Sequence, residues 1–161
     1  MAGIPWAISR DSATTLIEPR GYNYNSTDAD GDMWFDGVLM NTPTRVFAYM
    51  AQDSLVRLRV RMITTDENAL ATYARVRAEL VRQYGRPYES SEEYHAPYTK
   101  GSNPVEAVQA GKAVINSHWK VGSGRRQTHI TVQVPRELVV VIDYDGPNWN
   151  REFVRRQRSG S

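Results

Sequence analysis

Two stretches of this chain repeat one pattern at a constant offset. Phe47-Ala-Tyr49-Met-Ala51-Gln-Asp53-Ser-Leu55 and Ile130-Thr-Val132-Gln-Val134-Pro-Arg136-Glu-Leu138 carry apolar residues at the same alternate positions, with a polar turn before the same Leu. Alternation with period two marks a strand with one buried side. Each stretch follows an amphipathic segment that ends near a Gly. The chain therefore reads as one α-then-β unit written twice, over residues 9–62 and 64–144. Two such units bury their apolar sides most simply in one shared sheet. The expectation is an α+β fold: a single antiparallel sheet from two α-β-β-β units, with the helices packed mainly on one face. One domain would span residues 1–161, ending in a basic tail over 149–161.

The local signals agree with this plan. Ser9 predicts the cap of a helix running to about Glu18, with Ala13, Leu16 and Ile17 as its buried stripe and Pro19 and Gly21 as its stop. Asp30-Gly31 predicts a two-residue hairpin between strands at 22–25 and 33–40. A second hairpin joins 44–51 to 55–63, where Val56, Leu58, Val60 and Met62 alternate with Arg57, Arg59 and Arg61. That alternation predicts one dry and one wet sheet face. Thr64-x-x-Glu67 has capping-box spacing. Leu70, Tyr73, Val76, Leu80 and Tyr84 then recur at helical intervals up to Gly85 and Pro87. Residues 88–101 read as a polar insertion, and Asn103-Pro104 as the start of a short helix to Ala110. Strands at 113–121, 128–134 and 138–144 form a meander, followed by an amphipathic stretch at 149–156.

Composition narrows the class. The chain has 161 residues, of which 40% are hydrophobic and 24% charged, and a formal net charge of +2. It is long enough to build a core without disulfides or metals. It has no Cys, so disulfides, thiolate metal sites and cysteine nucleophiles are all excluded. No apolar run reaches the ~20 residues of a membrane span. The opening Met-Ala-Gly-Ile-Pro-Trp has neither the charged nor the apolar region of a signal peptide. The expected compartment is the periplasm or the exterior if a leader has been removed, and otherwise the cytoplasm.

Two motifs carry a resemblance. Ile4-Pro5-Trp6-x-Ile8-Ser9-Arg10-Asp11 looks like the short start that some bacterial envelope proteins place before their first helix, and Leu80-x-x-x-Tyr84-Gly85-x-Pro87 looks like their helix ending. With the duplicated layout, the chain resembles proteins built from tandem α-β-β-β units. Examples are the β-lactamase inhibitory proteins and, with a single unit, the small lipoprotein of the outer-membrane β-barrel assembly machinery. The resemblance implies this fold and a bias toward protein binding. The inhibitors carry stabilising disulfides, whereas this chain has no Cys.

No motif specifies a reaction. Asp28, Asp30, Asp32 and Asp36 invite a calcium reading, but with Gly31 at the sixth position of an EF-hand loop, Ser26 and Gly37 occupy two essential ligand positions. His95, His118 and His129 lack the spacing of a helical zinc pair. No catalytic residue, metal ligand or cofactor is assigned. Large aromatics and Arg dominate protein interfaces, so the candidate binding residues are Trp34, Arg57, Arg59, Arg61, Trp119, Tyr144 and Trp149. Segment 138–142 is apolar on both faces and needs cover on each, from a partner, a second subunit or the C-terminal stretch around Trp149 and Phe153. The expected function is a non-enzymatic protein-binding or assembly module of the bacterial envelope, engaging a protein partner or a second copy of itself. The alternative is nucleic-acid or polyanion binding through the Arg57, Arg59, Arg61 ladder and the basic tail. A third reading is a small enzyme using Glu92, Glu93 and His95 in the 89–95 loop.

Overall fold

The computed structural model describes residue 1, residues 3–99 and residues 101–159. The last two residues of the basic tail lie outside the described residues. Helix α1 (Arg10–Ile17) begins at Ser9, whose hydroxyl accepts the Ser12 N–H. It closes through a short turn at Glu18–Arg20, after which Gly21 takes a left-handed φ of 87°, a conformation that costs other residues a Cβ clash. Four strands follow: β1 (Tyr22–Thr27), β2 (Met33–Leu39), β3 (Thr42–Ala51) and β4 (Ser54–Met62). Helix α2 (Ala69–Tyr84) opens the second unit. Then come β5 (Glu89–Tyr94), α3 (Pro104–Gln109), β6 (Ala113–Val121), β7 (Thr128–Gln133), β8 (Val140–Asp145) and α4 (Trp149–Ser159).

The eight strands form one antiparallel sheet in the order β1-β2-β3-β4-β8-β7-β6-β5. Each unit is a four-strand meander, and the units meet where β4 pairs with β8. The fold class is as expected, α+β with one antiparallel sheet, but each unit has four strands. The extra strand of the second unit is β5, formed by residues read as an insertion. Its Glu-Ser-Ser-Glu-Glu-Tyr sequence lacks apolar alternation because β5 is an outer strand with little buried surface.

Three further local expectations give way, two of them to specific hydrogen bonds. The β1–β2 turn spans residues 28–32, because the Asp28 carboxylate accepts the N–H groups of Asp30 and Asp32 and holds a wider loop than the two-residue turn. The capping box at Thr64 does not form, because the Thr64 hydroxyl donates to the Leu138 carbonyl just before β8. The 47–55 and 130–138 match is one residue out of register in space. Phe47 and Tyr49 lie on one sheet face, whereas Ile130 and Val132 lie on the other, opposite Tyr144 and Ile142. A one-residue shift exchanges the faces of every side chain.

The main core sits between the sheet and α1 and α2. Phe35, Val46, Leu58, Val60, Met62 and Ile142 all face the helices with 2% exposure or less. A second cluster, with Ala69, Val108, Ile115, Val134 and Leu138, packs beneath the start of α2 and α3. α4 alone lies against the opposite face.

Candidate functional site: the open sheet face

Strand parity lays the open face out in three rows. One runs Asp36, Arg45, Arg61, Val141, Gln133, Asn116, Ser91 from β2 to β5. The middle row runs Trp34, Phe47, Arg59, Asp143, Thr131, His118, Glu89. The third runs Tyr49, Arg57, Asp145, His129, Lys120. The arginines of β4 thus stand beside the carboxylates of β8.

The central charges neutralise one another. Asp143, 3% exposed, receives Arg57 Nη2 at 2.6 Å and Arg59 Nε at 2.7 Å. Arg59 Nη2 adds a second bond to the same carboxylate at 3.1 Å. Arg57 Nε lies 3.0 Å from Asp145 Oδ1. Neither atom gains a hydrogen bond there, so this contact is an ion pair without directional bonding. Burial pushes the Asp145 carboxyl up to about 6, with Arg57 opposing the rise. The Arg59 guanidinium holds its proton more tightly because it bonds Asp143. At the β2 side, hydrogen bonds from Arg45 and then Asn25 hold the Asp36 carboxyl below its ordinary range.

α4 covers the third row at its β3–β4 end. The Trp149 ring lies over the Arg57 guanidinium at 4.5 Å and packs against Tyr49 at 5.4 Å. Arg156 reaches past it, donating to both oxygens of Asp32 at 2.6 and 2.8 Å and to the Met50 carbonyl. These bonds raise its hold on its proton, Asp32 contributing most and Glu152 further. The Asp32 carboxylate also accepts the Met50 N–H, so this acid of the sequence run serves to dock α4. The cover from the Trp149 stretch thus falls on Tyr49 and Arg57, away from Val141.

Beyond α4 the third row ends in a cavity of about 510 Å³ lined by Tyr88, Gln127, His129, Thr131, Asp145 and Asn150, among others. His129 Nε2 contacts the Gln127 amide at 2.6 Å, and His118 Nδ1 contacts the Thr131 hydroxyl at 3.0 Å. Asp143 is committed to two arginines, so it does not orient either imidazole as a catalytic acid would. In the 89–95 segment, Glu92 and Glu93 point to opposite sides of β5, and His95 follows the strand's end. The three groups named for an enzyme reading do not converge.

Of the candidate binding residues, Trp34, Arg57, Arg59 and Arg61 share the open face, and Trp149 lies on it from α4. Trp119 and Tyr144 do not. Both pair with Ile130 on the helix side and are 2% and 7% exposed. Trp119 donates its indole N–H to the Gly85 carbonyl at the end of α2. Their strand neighbours, His118 and Asp143, are the residues that reach the open face. Sequence reasoning passed over Phe47, Tyr49, Asp143 and Asp145. The signal for the acids was present: an Arg ladder on a central strand needs a carboxylate ladder beside it, and Asp143-x-Asp145 has that spacing.

Compared with known proteins, the chain matches no family model, no curated protein and no solved structure.

Proposed function

We propose that this protein is a non-enzymatic binding module that engages a protein surface through its open sheet face, as an assembly component of the bacterial envelope. The observation that carries the reading is the middle row. Trp34 and Phe47 pack at 6.4 Å and remain half-buried, one row over from Tyr49 and Arg57, on which Trp149 lies. Beside them Arg59 is partly exposed, its guanidinium hydrogen-bonded to the buried Asp143 carboxylate. An aromatic pair flanked by Arg is the composition found at the centre of protein interfaces. Because the backbone of such a face is already ordered in the sheet, binding pays less of the ordering cost that a loop would. The envelope setting is supported by the opening and helix-end motifs of the sequence.

The polyanion reading loses part of its footing. Arg57 and Arg59 are ion-paired within the chain, as is Arg45. Arg61 alone of the ladder is exposed without an ion pair among the described residues.

A photo-cross-linking residue at position 47 tests the proposal in producing cells, with one at exposed Asp11 on α1 as control. The expected result is a discrete protein adduct from position 47 only, including a self-adduct if the partner is a second copy. Equal labelling from both positions, no protein adduct at 47, or adducts with nucleic acid alone would overturn it. Light scattering at low and high salt then separates the partners. A salt-stable dimer indicates self-association and a monomer a foreign protein, whereas a charge-driven polyanion complex dissolves as salt rises.

A further inference from the structure

On the helix side of the sheet, where the two units meet, lies a second cavity of about 610 Å³. Its position follows from the chain path. The segment before α1 pairs with the start of β4, through Ala7 N–H to the Leu55 carbonyl and Leu55 N–H to the Ile8 carbonyl. Trp6 is thereby laid across Gly146, just after β8. A Cβ at Gly146 would stand 2.7 Å from the Trp6 ring, so only glycine admits the indole there. The Trp6 indole N–H donates to the Thr128 hydroxyl at 2.9 Å and fixes the ring against β7. The cavity opens between this ring, the C-terminal end of α2 and the β6–β7 turn.

Its lining is mostly apolar and strongly aromatic: Trp6, Tyr84 and Tyr144, with Ile4, Val121 and Ile130. Cavities of this size with apolar walls and a few placed polar groups are typical small-molecule sites. Besides Thr128, whose hydroxyl already accepts the Trp6 N–H, two kinds of polar side chain line it. The hydroxyls of Tyr84 and Tyr144 bond to no described residue, although burial raises the pKa of both phenols, so each keeps its proton for an acceptor. At the turn, Arg125 and Arg126 line the cavity, are exposed, and pair with no carboxylate among the described residues. No described residue of the lining is acidic. The result is an aromatic slot with an uncompensated pair of guanidinium groups, and Arg recognises a carboxylate through paired N–H bonds.

We propose that this cavity binds a small aromatic carboxylate, its ring against Trp6 and the two tyrosines and its carboxylate on Arg125 and Arg126. The site is separate from the open face, on the other side of the sheet, so its failure would leave the protein-binding proposal untouched.

Calorimetric titration with 2-naphthoate and with its neutral isostere 2-naphthamide tests this on the full chain. The expected result is saturable one-to-one binding of the acid, about tenfold or more tighter than the amide, since a charge-assisted pair accounts for at least that difference. The variant R125A/R126A should bind the acid no better than the amide while melting at the wild-type temperature. R125K/R126K should keep part of the preference. W6A should weaken acid and amide alike. Equal binding of acid and amide, an undiminished preference in R125A/R126A, or no saturation up to about 1 mM would each overturn the proposal.

Discussion

The two faces of this sheet are held by different physics. The helix-covered face is largely dry: Phe35, Val46 and Met62 have no exposed surface and belong to one hydrophobic cluster. The open face is tied by charge, with Arg57, Arg59, Asp143 and Asp145 at the junction of the two units. Burial of apolar area is non-directional and tolerates repacking. Ion pairs of this kind set a register, because a slip of β4 against β8 by one residue would place Tyr144 and Ile142 opposite arginines in place of the carboxylates. The hydrophobic face supplies stability, and the charged face specifies how the halves join.

The two faces differ in what a substitution costs, and the largest loss belongs to the dry face. Phe35→Ala should destabilise by about 4 kcal/mol, read as a lower urea midpoint. A loss below about 1 kcal/mol would mean that the core is not closed around it. On the charged face, Asp143→Ala leaves Arg57 and Arg59 competing for Asp145 and should cost about 3 kcal/mol. Asp143→Ala with Arg59→Leu should recover part of that cost, and no recovery would show that the arginines are not its partners. Trp149→Ala removes the ring over Arg57 and should cost about 2 kcal/mol. Amide exchange should then rise in α4 while the β2–β3 core stays protected.

Asp145 gives a pH signature. Its folded-state carboxyl titrates at about 6, above the ~3.9 of an unfolded Asp. Between those values the folded state holds more protons than the unfolded one, so this group's contribution to stability falls as pH rises through that window. Asp145→Asn should remove the fall and stabilise the protein by about 1–2 kcal/mol above pH ~6, with no gain at pH ~4. A variant that tracks the wild type at every pH would place the carboxyl in water. The smallest expected effect is on stability alone: Trp34→Ala should change it by less than about 1 kcal/mol while abolishing the position-47 adduct. Unchanged capture would separate the middle row from function.

Much of the dry face was legible in the sequence, because its logic is local. The period-two run Val56 to Met62, the helical stripe Val76 to Leu80 and the Ser9 cap each declare themselves within a few residues. The open face was legible only in part. Trp34 and the Arg ladder stand out, but parity decides which aromatic joins them. Trp119 and Tyr144 read as surface candidates by residue type, and one step along the strand turns both into the core. The partners of Arg57 and Arg59 lie across the β4–β8 junction, far away in sequence, and no local window connects them. β5 was hidden for a related reason: a strand with little to bury carries no hydrophobic period.

The same polarity that conceals β5 governs how the molecule behaves in a crowd. The two outermost strands, β1 and β5, each leave a row of backbone N–H and C=O groups unpaired, a template on which another chain can add a strand. β1 is interrupted by the irregularity between Tyr24 and Ser26, and β5 carries Glu89, Glu92 and Glu93 in six residues. A kinked ladder and a like-charged one both reject an incoming copy. Growth by strand addition, the route from a folded sheet to a fibre, is thereby disfavoured at both ends.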